Sequence, residues 1–124
     1  MVFVFGANTR GRHGAGAAKY AVDNEGAIYG QGFGRQGNSF GIPTKDHDII
    51  SLPLSEVGYY VSCFILYATL HPEEEFKITQ IGCGLAGFTA EQIAPLFVTA
   101  PRNCYFDTAW KEYLPEGTNF WGTK

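Results

Sequence analysis

The chain opens Val2-Phe3-Val4-Phe5 and runs at once into Gly6-Ala7-Asn8-Thr9-Arg10-Gly11-Arg12-His13-Gly14-Ala15-Gly16-Ala17-Ala18. Large, β-prone apolar residues in an unbroken run predict a buried strand. The glycine-punctuated polar segment predicts a turn, and the small residues after it predict the start of a helix. Glycine at Gly6, Gly11, Gly14 and Gly16 allows backbone conformations closed to other residues and a close approach of a ligand to the main chain. The first N–H groups of a helix have no intrahelical acceptor, and together with the helix dipole they favour an anion such as a phosphate.

One glycine-rich turn is weak evidence for a ligand, because a ligand-free strand-to-helix turn has the same composition. A second turn of the same kind, Ile81-Gly82-Cys83-Gly84-Leu85-Ala86-Gly87-Phe88, again lies between a β-like run and a helix-like run. The pair predicts two backbone cradles in one domain.

Bulk properties narrow the class. A chain of 124 residues is one domain, 1–124, able to bury a single core. The net charge of −3 argues against a nucleic-acid backbone partner, although Arg10, Arg12, Lys19 and Arg35 leave room for a local basic patch. Three cysteines, Cys63, Cys83 and Cys104, are far apart and lack metal-ligand spacing, so neither a metal nor a disulfide is expected and a reducing cytoplasmic setting is the simplest reading. The longest charge-free run, Val57 to His71, is too short and amphipathic for a bilayer, so no membrane partner is expected. With a strand starting at Val2, no signal peptide is expected and the chain reads as a complete, soluble protein.

Taken in order, Gly14 to Val22 predicts a helix of small residues and Asp23-Asn24-Glu25-Gly26 its stop. Ala27-Ile28-Tyr29 reads as a short strand. Gly30 to Asn38 reads as an inserted surface loop or a plain hairpin connection, with Arg35 a candidate phosphate partner. Ser39 to Thr44 predicts a strand ended by Pro43, followed by the charged cluster Lys45-Asp46-His47-Asp48 at a strand end, where ligand sites of open α/β sheets collect. A long helix with Ser55 as cap follows, its apolar stripe running through Val57, Tyr60, Val61, Phe64, Ile65, Ala68 and Leu70. Phe76 to Ile81 alternates as a strand, Thr89 to Thr99 predicts a helix containing Pro95, and Asn103 to Phe106 a last short strand. Residues 107–124 hold Trp110, Tyr113, Phe120 and Trp121, too aromatic a tail to stay in water, so it is expected to wrap back over the domain. The order predicts a compact three-layer α/β/α sandwich with a mixed sheet.

These motifs resemble the macrodomains, a family that binds ADP-ribose. Phe5-Gly6-Ala7-Asn8 with Gly14-Ala15-Gly16 is similar to the family's first ligand loop, in which an Asn contacts the distal ribose; Asn8 matches it. Gly82-Cys83-Gly84 with Gly87-Phe88 is similar to the second, whose amides hold the diphosphate. The branch of terminal ADP-ribose protein glycohydrolases looks closer still: Gly14-Ala15-Gly16-Ala17-Ala18, Pro43-Thr44-Lys45 and Ile81-Gly82-Cys83-Gly84-Leu85 follow its patterns in order. The resemblance implies a macrodomain-like fold and a ligand set of Gly6, Ala7, Asn8, His13, Gly14, Ala15, Gly16, Lys45, Gly82, Cys83, Gly84, Leu85, Ala86, Gly87 and Phe88. Lys45 matches the branch's catalytic lysine. The branch's catalytic Asp is replaced by Ala86, and the adenine-reading Asp of the family has no counterpart.

The function expected from this is binding of ADP-ribose or a related diphosphate-containing nucleotide, without a cofactor. One alternative is an ADP-ribosyl hydrolase acting on ADP-ribosylated protein or nucleic acid through Lys45 and a replacement acid among Asp46, His47 and Asp48. Another is a non-catalytic interaction protein with a vestigial pocket, working through its surface.

Overall fold

The computed structural model describes all residues, Met1–Lys124, and shows an α/β fold built on one six-stranded mixed sheet. Its strands are β1 (Val2–Asn8), β2 (Gly34–Gln36), β3 (Ser39–Lys45), β4 (Phe76–Ile78), β5 (Cys104–Asp107) and β6 (Asn119–Gly122), in the spatial order β2-β3-β1-β4-β5-β6. Only the β2–β3 pair is antiparallel. The helices are α1 (Gly16–Asn24), α2 (Leu54–Leu70) and the short α3 (Ala90–Ile93), which runs into a 3-10 turn at Ala94–Phe97; a second 3-10 segment spans Thr108–Tyr113.

Side-chain alternation divides the sheet into two unequal faces. Val2 and Val4 of β1, Phe40 and Ile42 of β3, Phe76 and Ile78 of β4, and Cys104 and Phe106 of β5 point into a core of 18 buried residues under α2, α3 and the 3-10 segments. Each large side chain buried there contributes about 1.5–3 kcal/mol. The opposite face is served by α1 alone: Phe3, Phe5 and Ala7 meet Ala18, Ala21 and Ala27 in a cluster of 6. Alanines let this helix lie close on β1, and nothing covers β4, β5 and β6 on that side beyond the chain's own aromatic residues.

Several elements differ from the sequence reading for identifiable reasons. The first helix starts at Gly16, not Gly14, because Ala15 at the N-cap is extended (φ −155°, ψ 163°). Ser55 is not a cap; Pro53 occupies the N-cap of α2, and the fixed φ of proline suits a helix entrance. Pro43 does not end β3, which continues to Lys45. Pro95 cannot sustain α-helical bonding, so the helix expected over Thr89–Thr99 closes after one capped turn, with Thr89 and Gln92 forming a capping box, and continues as 3-10. Ala27-Ile28-Tyr29 is no strand.

The Gly30–Asn38 segment is not a loose insert. It contains β2, and it packs backbone on backbone: a Cβ at Gly32 would overlap the Asn8 carbonyl oxygen, one at Gly37 the Gly26 carbonyl oxygen, and one at Gly41 of the adjoining β3 the Gly32 carbonyl oxygen. Arg35 is not a free anion partner either. Its Nη1 donates to both carboxylate oxygens of Glu74 (3.0 and 2.8 Å) and to the Tyr67 hydroxyl (3.0 Å), tying the sheet edge to the end of α2. The hydrogen bond to Glu74 raises the Arg35 pKa and holds the Glu74 carboxyl below its ordinary value. No helix is long and apolar enough to cross a membrane.

Candidate functional site

The topology itself marks a crevice. From the C-terminal end of β1 the chain crosses to α1 on one face; from the C-terminal end of the neighbouring β4 it crosses to α3 on the other. Where adjacent parallel strands send their connections to opposite faces, a gap opens beyond the strand ends, and ligands of open α/β sheets bind there. A cavity of about 830 Å³ lies at this point. Both glycine-rich turns edge it, through Gly6, Gly14 and Gly16 on the first and Gly82 and Gly84 on the second.

The first turn is held open from within. The Asn8 side chain donates from Nδ2 to the Arg12 carbonyl (2.9 Å) and accepts the Arg12 N–H at Oδ1 (3.0 Å), closing residues 8–12 into a rigid loop. A register shift between Ala7 and Asn8 sets Asn8 opposite Lys45, so these two line the cavity side by side. Gly16 has φ +58°, a conformation natural to glycine; the N-cap of α1 gives the first-turn amides no side-chain acceptor, and Gly16, Ala17 and Ala18 line the cavity.

The second turn is fixed by Cys83 N–H to Gln80 carbonyl (3.1 Å), Gly87 N–H to Gly84 carbonyl (3.0 Å) and Phe88 N–H to Gly82 carbonyl (2.9 Å). The amides of Gly82, Gly84, Leu85 and Ala86 donate to no backbone carbonyl, and Gly82, Gly84, Leu85 and Ala86 all line the cavity. Unpaired N–H groups clustered on a turn form an anion-binding concavity. The Ser51 hydroxyl donates to the Ala86 carbonyl and so ties this turn to the loop after β3. In that loop Ile49 has φ +63°, an unusual state for a β-branched residue, and it too lines the cavity.

Of the residues singled out in sequence, Gly6, Ala7, Asn8, Gly14, Ala15, Gly16, Lys45, Gly82, Gly84, Leu85 and Ala86 line this one cavity, whereas His13, Cys83, Gly87 and Phe88 do not. His13 is buried beneath the first turn, where Nε2 lies 2.8 Å from the Gln31 carbonyl and 3.2 Å from Gln36 Oε1, and its ring packs edge-on to Phe5. It braces the turn from behind. Cys83 and Phe88 pack against the large core. Burial pushes the Cys83 thiol pKa up, with a contact to Trp110 opposing it, so a neutral thiol faces the core. Gly87, at φ +79°, closes the turn.

The loop after β3 offers no ready acid for Lys45. Asp46 Oδ1 accepts the N–H groups of Asp48 (2.8 Å) and Ile50 (3.0 Å), and His47 Nε2 lies 3.3 Å from Asp48 Oδ2 on an exposed surface. Although the ligand atoms of Asp46, His47 and Asp48 lie within 4.8 Å of one another, each already has a partner within its own turn.

Sequence reasoning missed the other half of the cavity wall. Lys77, Thr79 and Gln80 come from β4 and the residues just beyond it, Asp107 from the end of β5, and Trp121 and Lys124 from the C-terminal stretch; Arg12, one of the possible basic-patch residues, joins them from the first turn. Alternation along Phe76–Ile81 already places Lys77 and Thr79 opposite the buried Phe76 and Ile78, so that signal was available. Asp107 is 1% exposed and fully engaged: Oδ1 accepts the Ala109 N–H (2.9 Å) and Oδ2 accepts Gln80 Nε2 (3.1 Å). Arg12, Lys45, Lys77 and Lys124 line the cavity with no ion pair to a carboxylate, and Asp107 is the sole acidic side chain in its wall. A protein of net charge −3 thus concentrates uncompensated positive charge at one hollow.

The arrangement defines an α/β protein with a cation-lined crevice at the switch point of its sheet. Comparison with protein-family models, curated proteins and solved structures returned no match.

Proposed function

We propose that this protein binds ADP-ribose or a related nucleotide whose two halves are joined by a diphosphate. The observation that carries the reading is the meeting of both glycine-rich turns, with unbonded amides at Gly82, Gly84, Leu85 and Ala86, at the edge of one cation-lined cavity. Amides of two turns on one cavity suit a bridging anion with several oxygens better than a single phosphate, and the cavity wall extends beyond both turns. One end holds Asn8, Lys45 and Ile49; the other holds Trp121 and Lys77. A diphosphate at the centre with an organic group at either end matches that plan. The resemblance of the same turns to macrodomain ligand loops supports ADP-ribose as the first compound to test.

Hydrolysis remains the second reading because Lys45 and Ala86 line the same cavity. It is disfavoured by Ala86 at the position matching the branch's acid and by the engagement of Asp46 in its own turn. A lysine without a positioned acid or base is a poor catalyst for opening a glycosidic bond. Calorimetric titration with ADP-ribose, cyclic ADP-ribose and NAD tests the proposal: saturable one-to-one binding of at least one of them is expected, and absence of binding by all three would overturn it.

A further inference from the structure

The cavity does not stop at the amide turns. It runs down the uncovered face of the sheet, where β6 contributes Trp121. Between β5 and β6 the register shifts at Phe106/Asp107, so Phe120 pairs with Phe106 while Gly122 pairs with Asp107, and Trp121 is the extra residue of the bulge. A bulge re-aims a side chain. Phe120 packs on the large core. Trp121 instead lies across the open face, its Nε1 donating to the Ile78 carbonyl (2.9 Å).

A continuous chain of contacts follows. Lys77 Nζ sits 4.2 Å from the centre of the Trp121 ring. Lys77 is paired with Phe3 across β1 and β4, Phe3 meets the Tyr20 ring at 5.1 Å, and Lys124 Nζ sits 4.5 Å from the centre of that ring. Two ammonium groups are therefore held against an aromatic floor in the same cavity as the amide turns, and neither has a carboxylate partner. Lys77 lies one pleat repeat, about 7 Å, below Thr79 and farther still from the amides of the second turn. A diphosphate held by those amides does not reach it. A smaller hollow of about 320 Å³ shares Phe3, Tyr20 and Lys77 and extends the space; its one carboxylate, Glu25, accepts from Asn38 Nδ2 at 3.2 Å.

Resting on the nucleotide reading above, we infer that Lys77, Lys124, Tyr20 and Trp121 form a second anionic subsite, for a phosphomonoester carried on the nucleoside ribose of the ligand. The fixed indole of Trp121 offers a flat wall for a base, and cations on aromatic faces next to it offer charge-assisted hydrogen bonds to a dianion. The preferred ligand class is thus a diphosphate nucleotide with a third phosphate at its nucleoside end.

The test is calorimetric titration of the full chain with ADP-ribose and with the forms of it phosphorylated at the 2′ or 3′ position of the adenosine ribose. The same titrations follow on the Lys77→Gln/Lys124→Gln double variant, whose folding is checked by circular dichroism. At least one phosphorylated form should bind the wild type about tenfold or more tightly than ADP-ribose, and in the double variant the ratio of those two affinities should fall to about one. Equal affinity of all three compounds for the wild type, or a gain that survives in the double variant, would overturn the inference and leave the diphosphate reading standing. Failure of every compound to bind would overturn both.

Discussion

Two sets of glycines in this chain look alike in sequence and do opposite work. In the stretch from Gly30 to Gly41, glycine is demanded by the protein's own backbone: at Gly32, Gly37 and Gly41 a Cβ would overlap a carbonyl oxygen of a neighbouring segment. At Gly14 and Gly84 a Cβ would meet nothing within 4 Å, and neither residue has a positive φ. The fold therefore gives no reason for glycine at these two positions. Both line the large cavity, so the space they leave empty is space at the candidate site. Packing explains the first set; the proposed ligand, brought close to the backbone, would explain the second.

That contrast can be broken by substitution. The largest effect is expected at Gly41→Ala, where the new methyl group must displace the Gly32 carbonyl and the Gln36 side chain. Overpacking of backbone against backbone should cost about 3 kcal/mol. Gly14→Ala should stay within about 0.5 kcal/mol of the wild type. Urea denaturation of the two variants checks this, and equal losses would erase the distinction.

A chemical version uses the second turn. Ala86→Asp places a carboxylate on the cavity wall shared with Lys45. It should raise release of ADP-ribose from a modified peptide by about 10²-fold, the usual scale of general acid–base assistance. Adding Lys45→Ala should remove the gain. Rates for the wild type, the two single variants and the double variant decide it; fast wild-type turnover that is indifferent to Lys45 would place the chemistry elsewhere.

The smallest effect belongs to the packed edge. Because Arg35 lowers the Glu74 pKa, their pair stabilises the fold fully above the ordinary glutamate pKa of about 4.3 and ceases to do so as pH falls through the lowered value. Glu74→Gln should cost about 0.5 kcal/mol at neutral pH and show a shallower loss of stability on acidification, since the pair is partly solvated. Thermal unfolding of both proteins across acidic pH measures it, and parallel acid curves would show the pair to be idle.

What sequence could reveal follows from how local the signal is. The apolar run Val2–Phe5 and the alternation at Phe76–Ile78 announce strands, because burial on two faces or on one leaves a different pattern in adjacent residues. Both glycine turns were visible as turns. Their convergence was expected only through the family resemblance, which puts both turns in one ligand set; no local pattern displays it, since it depends on β4 being laid beside β1 across an intervening stretch that contains β3 and α2. The roles of His13 and Phe88 were misplaced for the same reason: each sits inside a ligand-like motif but points away from the cavity, His13 to Gln31 and Gln36, Phe88 to the core. The aromatic tail was expected to wrap over the domain. It adds β6 to the sheet edge and, through a one-residue bulge, sends Trp121 over the open face. A bulge is set by the partner strand's register, which no local pattern of residues 119–122 displays.

The central claim is that the empty space at Gly84 belongs to an anionic ligand, and Gly84→Glu tests it most directly. The side chain has room, so circular dichroism and thermal unfolding of the variant should match the wild type. Its carboxylate would stand beside the unbonded amides of Leu85 and Ala86 and exclude the ligand by bulk and by charge. Calorimetric titration with ADP-ribose should give a saturable isotherm for the wild type and no measurable heat for the variant. A folded Gly84→Glu protein that binds ADP-ribose with unchanged affinity would contradict the account and reduce the second turn to a structural connection.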